Sequence, residues 1–195
     1  MNSISKRGMS TKTMVLGAIL TALVIVLQLM GSFIHLGPFS ISLVLLPIVI
    51  GAAMCGPLVS TWLGFVFSVV VLIMDAAAFL AVSVFGTVLT VLLKGTAAGL
   101  VAGLVYKLLE KKNCYLAVVA AAIVCPIVNT GIFTLGCFAF FMETIHSWGV
   151  AEGIDSAVKY LFIVMIGANF LVEFGTNILL SPAIVRLLNI RKKQA

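Results

Sequence analysis

Two ionisable side chains, Lys94 and Glu173, sit deep inside long apolar runs of the sequence. A charge placed in hydrocarbon costs at least about 2.5–3.5 kcal/mol, so such a group faces a cavity or a partner. Each has polar company at helical spacing. Thr87, Thr90 and Lys94 fall at i, i+3 and i+7, and Asn169, Glu173 and Asn177 at i, i+4 and i+8. Gln28, Ser32 and His35 form a third stripe, near the end of another apolar run. Asn129 and Thr130 follow Pro126, which frees a backbone carbonyl inside its own helix. Several helices each point one polar stripe somewhere, and the economical destination is a shared interior cavity. Lys94 is then either a cationic anchor for an anionic solute or half of a buried ion pair with Glu173 that fixes helix register. The asparagines either touch the solute or join helices. His35 is otherwise a solvated outer-end histidine, and Asp75 a helix terminator. The candidate binding set is Lys94, Asn129, Asn169, Glu173, Thr90, Gln28, His35 and Asp75.

Enzyme motifs are absent. The sequence holds no HExxH, no GxSxG and no phosphate-binding glycine loop with a lysine. No catalytic residue, no metal site and no cofactor in this chain is expected. Cys55, Cys114, Cys125 and Cys137 have no CxxC spacing and no nearby histidine, and read as unpaired packing residues. Without an ATP site, active uptake needs an ion gradient or another chain.

The elements that position these residues follow from composition. The 195 residues are 63% hydrophobic and 9% charged, against about 45–50% and 25% for soluble domains. A water-soluble fold of this size has no room to hide so much apolar surface, and a nucleic-acid-binding domain is excluded with it. The expectation is a single all-α membrane domain over residues 1–195, with lipid as its main solvent. A spanning helix needs about 20 residues. Six apolar runs are cut at 14–34, 39–55, 57–74, 85–109, 115–142 and 158–188, the second and third near the short limit. Cys55-Gly56-Pro57 separates those two, with proline free to start the next helix. The first run has no small-residue cleavage site after it and is expected to be a retained helix.

Charge placement sets the orientation. The basic groups are Lys6, Arg7 and Lys12; Lys107, Lys111 and Lys112; and Arg186, Arg191, Lys192 and Lys193. Six spans put all three on one side, the cytoplasmic one, with both termini. The other side receives loops 35–38, 75–84 and 143–157, which carry His35, Asp75, Glu143, His146, Glu152 and Asp155 but no Lys or Arg. Segment 75–84 is too apolar for a free loop and too short to span, and reads as a lid or re-entrant turn over a cavity open to the exterior. Trp148 reads as an interface-belt residue. Gly95, Gly99 and Gly103, at every fourth position, let another helix come close.

Residue strings along the chain resemble the substrate-binding S component of energy-coupling factor (ECF) transporters. Leu16-Gly17-Ala18-Ile19-Leu20-Thr21-Ala22-Leu23 is similar to the family's first helix, with its Ala-x-x-x-Ala motif as Ala18 and Ala22. Gly37-Pro38-Phe39-Ser40-Ile41-Ser42, followed by Leu46-Pro47, resembles its first outer loop and second helix. Cys55-Gly56-Pro57 resembles its Phe/Leu-Gly-Pro turn, and Leu93-Lys94-Gly95 running into Ala98-Gly99-Leu100-Val101-Ala102-Gly103-Leu104-Val105-Tyr106-Lys107 its fourth helix and basic exit. The resemblance implies a prokaryotic plasma-membrane protein that captures a vitamin from outside. It implies docking through the Ala18 and Ala22 face onto a transmembrane coupling subunit, which joins two ATP-hydrolysing subunits. The Gly-Pro-Phe-Ser-Ile-Ser string looks most like the pantothenate branch. A carboxylate on Lys94 and an amide on Asn129 or Asn169 fit pantothenate, while folate and cobalamin stay open as alternatives. Two rivals come from other classes: a self-sufficient secondary transporter with Glu173 as proton carrier, and a membrane assembly protein with no ligand.

Overall fold

The computed structural model describes residues 10–31, 35–36, 39–40 and 44–193. The chain begins with helix α1 (Thr11–Gly31) and a two-residue hairpin, β1 (His35–Leu36) with β2 (Phe39–Ser40), paired antiparallel. Helices α2 (Leu45–Cys55), α3 (Pro57–Met74), the short α4 (Ala77–Leu80), α5 (Val84–Leu109) and α6 (Cys114–Phe140) follow. The chain ends with α7 (Met142–Ala151), the one-turn α8 (Ala157–Tyr160), a π-helical turn (Leu161–Gly167) and α9 (Ala168–Lys193). Among the described residues, five helical stretches are long and apolar enough to cross a membrane: α1, α3, α5, α6 and the continuous segment Ala157–Asn189. This is an all-helical membrane protein.

The second expected span needs correction. The helix does not run over 39–55; it begins at Leu45, and its 11 residues rise only about 16 Å. Pro47 is the reason. It has no N–H to bond residue 43, so it is tolerated only in the first turn of a helix. Segment 143–157, expected as a loop, also departs from one, because Met142–Ala151 forms a helix.

Local chemistry sets the other boundaries. Gly56 takes φ +91°, a left-handed conformation that favours glycine, and closes α2 by donating its N–H to the Gly51 carbonyl. Pro57 then opens α3 in the first-turn position that suits it. Ser83 caps α5 by accepting from the Gly86 N–H, and Asn113 caps α6 by accepting from Tyr115 and Leu116. Each such cap contributes about 1 kcal/mol.

The main core joins α1, α2, α3, α5 and α6 around Val24, Ile48, Leu63, Ala98 and Ala121, with Ile184 and Leu188 of α9 closing one end. Small residues make the α3–α5 contact. A methyl group on Gly64 would collide with the Gly95 carbonyl, one on Gly99 with the Ser60 carbonyl, and one on Gly103 with Ser60 and Pro57. The two backbones are therefore in direct contact, which places the polar stripe of α5 at a fixed depth and angle. A second cluster at the opposite end gathers Phe79, Cys137, Phe141, Ile145, Tyr160, Leu161 and Met165.

Candidate functional site

Between the two clusters lies a cavity of about 320 Å³. It draws on α1, α3, the Ala76–Phe79 region, α5, α6 and the π-turn with α9, so it exists only when these elements pack. Gln28, Asp75, Lys94, Asn129, Asn169 and Glu173 all line it, together with Thr130. Sequence spacing thus pointed six candidate residues at one space.

Two candidates do not join them on the wall. Thr90 is buried against α6, where its side chain fills the place a Cβ on Gly136 would take. The i, i+4 relation to Lys94 held on the helix, but the α5–α6 contact claims that face first. His35 lies in β1, paired with Ser40, and its side chain falls outside the described residues. So do Ser32, the Gly37-Pro38 turn, Ile41 and Ser42, and the basic residues Lys6 and Arg7.

Lys94 is the centre of the site. Its Nζ lies 5.1 Å from the centroid of the Phe133 ring and 5.7 Å from that of Phe67, within cation–π range of both. Among the described residues its ammonium makes no hydrogen bond or ion pair. Three donors on a strongly hydrated cation thus have only aromatic faces for company. Glu173 and Asp75 share the cavity wall with it, and no ion pair joins Lys94 to either. The register-fixing ion pair between Lys94 and Glu173 is therefore not formed.

Glu173 is 2% exposed. Among the described residues its carboxylate receives one side-chain hydrogen bond, from Asn169 Nδ2 at 3.4 Å, which is long for a charged pair. Asn177 turns back on its own helix, donating to the Glu173 main-chain carbonyl at 2.8 Å, and does not line the cavity. Asn129, 6% exposed, sits one turn beyond Pro126, and among the described residues its Oδ1 has no partner; the same holds for Asn169 Oδ1. A buried polar atom without a partner costs about 1–3 kcal/mol.

At the mouth, Gln28 Nε2 donates to Asp75 Oδ2 at 2.7 Å and ties α1 to the C-cap of α3. Segment 75–84 contains the one-turn helix α4, whose Phe79 lines the cavity. The Phe79 ring meets Phe141 at 5.0 Å, Trp148 at 5.4 Å and Phe133 at 5.9 Å, all edge to face. Trp148, read from the sequence as an interface-belt residue, is half-buried and packs edge to face on the cavity-lining Phe79.

The aromatic walls, Phe67, Phe79, Phe133 and Phe170, are what sequence reasoning missed. Phe133 stands four residues after Asn129 and Phe170 next to Asn169, but phenylalanine in an apolar helix gives no signal of its own. Ala18 and Ala22 lie on an exposed face of α1. Ala18 also borders a shallow apolar groove with Leu58, Trp62 and Phe65 of α3. Among the described residues no group of three or more His, Cys, Asp or Glu could hold a metal ion.

A multi-pass helical bundle enclosing a small, partly charged chamber defines a membrane protein that handles a small solute. The chain belongs to the family described as ECF transporter, substrate-specific component, whose signature matches residues 12–185. It is accordingly a substrate-capture subunit of an ECF transporter, a transporter subunit and not an enzyme, and it works with an ECF energising module. No curated protein and no solved structure matches the chain.

Proposed function

We propose that this protein captures a small carboxylate vitamin, such as pantothenate, from outside a prokaryotic cell and delivers it to an ATP-driven module. The carrying observation is the Lys94 ammonium, held over two phenyl rings beside a cavity and lacking an acceptor among the described residues. A carboxylate fills that place, and Asn129 and Asn169 serve an amide or hydroxyl. A space of about 320 Å³ suits a solute of pantothenate's size, is tight for folate and is far too small for cobalamin.

The proposed topology is a single membrane domain of six segments with both termini cytoplasmic, in which α2 and the preceding hairpin together take the place of the second span. Its support is the grouping of charge. Lys107, Lys111 and Lys112 stand together where α5 gives way to α6, and Tyr106 at that turn belongs to the same core cluster as Leu188, two residues beyond Arg186. The cavity lies toward the other end, open to the exterior. Ala18 and Ala22 dock onto a transmembrane coupling subunit, and two partner subunits hydrolyse ATP.

The test is mass spectrometry of small molecules retained by the purified protein, followed by uptake in cells that also carry the energising module. The proposal expects a retained carboxylate, co-purifying coupling and ATPase subunits, and uptake that stops when ATP hydrolysis is blocked. Uptake that persists without ATP and collapses with the proton gradient favours the secondary-transport reading, with Glu173 as carrier.

A further inference from the structure

The cavity holds opposite charges that do not satisfy each other. Lys94 reaches in from α5 and Glu173 from α9, yet they form neither a hydrogen bond nor an ion pair. Glu173 is buried and Lys94 half-buried, and opposite charges so placed would normally close on one another, because each is costly alone. Here each is held back by its surroundings. The ammonium is seated over Phe67 and Phe133, and the carboxylate leans on Asn169 through one long contact. Both remain short of polar partners while facing the same space.

We infer that the solute is dipolar, with an anionic group that meets Lys94 and a protonated amine or strong N–H donor that meets Glu173. This rests on the capture reading above and, among carboxylate solutes, favours one that also carries a cationic group over a simple anion such as pantothenate. A carboxylate alone would satisfy Lys94 and leave Glu173 buried with its single weak partner. A second acidic group on the wall, Asp75, would raise the cost of a purely anionic guest further, because the described lining carries two acids and one base. A solute bearing both charges completes both partners and adds no net charge to a low-dielectric chamber. The phenyl walls call for a flat or apolar body between the two ends.

The experiment is a thermal-shift screen of the purified full-length protein against three probe sets of similar size. One is anionic (pantothenate, nicotinate, biotin), one cationic (thiamine, tryptamine) and one dipolar (the aromatic amino acids, 4-aminobenzoate). The strongest stabiliser is expected in the dipolar set. Its methyl ester and its N-acetyl derivative, each lacking one charge, should each bind at least about tenfold more weakly to the wild-type protein. Glu173→Gln should weaken the parent probe by a similar factor, while barely changing what remains of N-acetyl binding. If the strongest stabiliser is pantothenate or another simple anion, and Glu173→Gln leaves its affinity unchanged, the dipolar assignment is wrong and the capture reading stands. If no probe shifts the protein and none is retained through purification, both readings fall.

Discussion

Gln28 Nε2 donates a 2.7 Å hydrogen bond to Asp75 Oδ2 across 47 residues of sequence, joining the C-terminal half of α1 to the end of α3 where both line the cavity. The helix that carries the proposed docking face is thereby tied to the segment that leads into α4 beside the cavity. A hydrogen bond to a charged group contributes about 1.5–3 kcal/mol, more than most links between these elements.

Breaking this link should be felt. Gln28→Leu, which keeps the volume and removes the donor, is expected to lower stability by about 2 kcal/mol. The check is thermal denaturation in detergent. An unchanged melting temperature would show that the link contributes nothing to the fold.

Lys94→Ala should weaken binding of a carboxylate solute by at least about tenfold, equivalent to about 1.4 kcal/mol. Phe133→Leu should cost less, because it removes one of two rings from beneath the ammonium and leaves the charge in place. Calorimetric titration of both variants with the retained solute measures the order. Equal affinity of Lys94→Ala and wild type would remove the anchor.

Bulky residues at Ala18 or Ala22 are expected to leave solute affinity unchanged and abolish uptake. Both positions are exposed on α1, and the neighbours Ala18 shares are those of an open groove with α3, so a large side chain is accommodated without disturbing the core. Binding to the isolated protein and uptake by the assembled transporter are read in parallel. Uptake that survives Ala18→Trp and Ala22→Trp excludes this face as the docking surface.

The glycines separate into two kinds. Gly99→Ala drives a methyl into the Ser60 carbonyl, and the backbones must part; a loss of about 2 kcal/mol or more is expected. At Gly131 an added Cβ meets nothing, and Gly131→Ala should be neutral or stabilising by up to about 1 kcal/mol. Thermal denaturation of the pair tests this. Equal effects would mean that α3 and α5 are not in backbone contact.

The sequence by itself determined a membrane-embedded helical protein, because 63% hydrophobic residues in long runs leave no other solvent. It also singled out Lys94, Asn129, Asn169, Glu173, Gln28 and Asp75, because a polar group within an apolar run is costly unless it faces an interior, and helical spacing says which polar groups share a face. Spacing along one helix says nothing about what lies opposite. Thr90 shares a face with Lys94 and yet packs into Gly136, and Asn177 shares a face with Glu173 and yet bonds its own backbone. Tertiary structure alone decided that Lys94 rests on Phe67 and Phe133 and not on Glu173. That outcome depends on how far α5 is drawn toward α3 and where the π-turn sets α9. Both are results of side-chain packing between elements distant in sequence, which no one-dimensional pattern encodes.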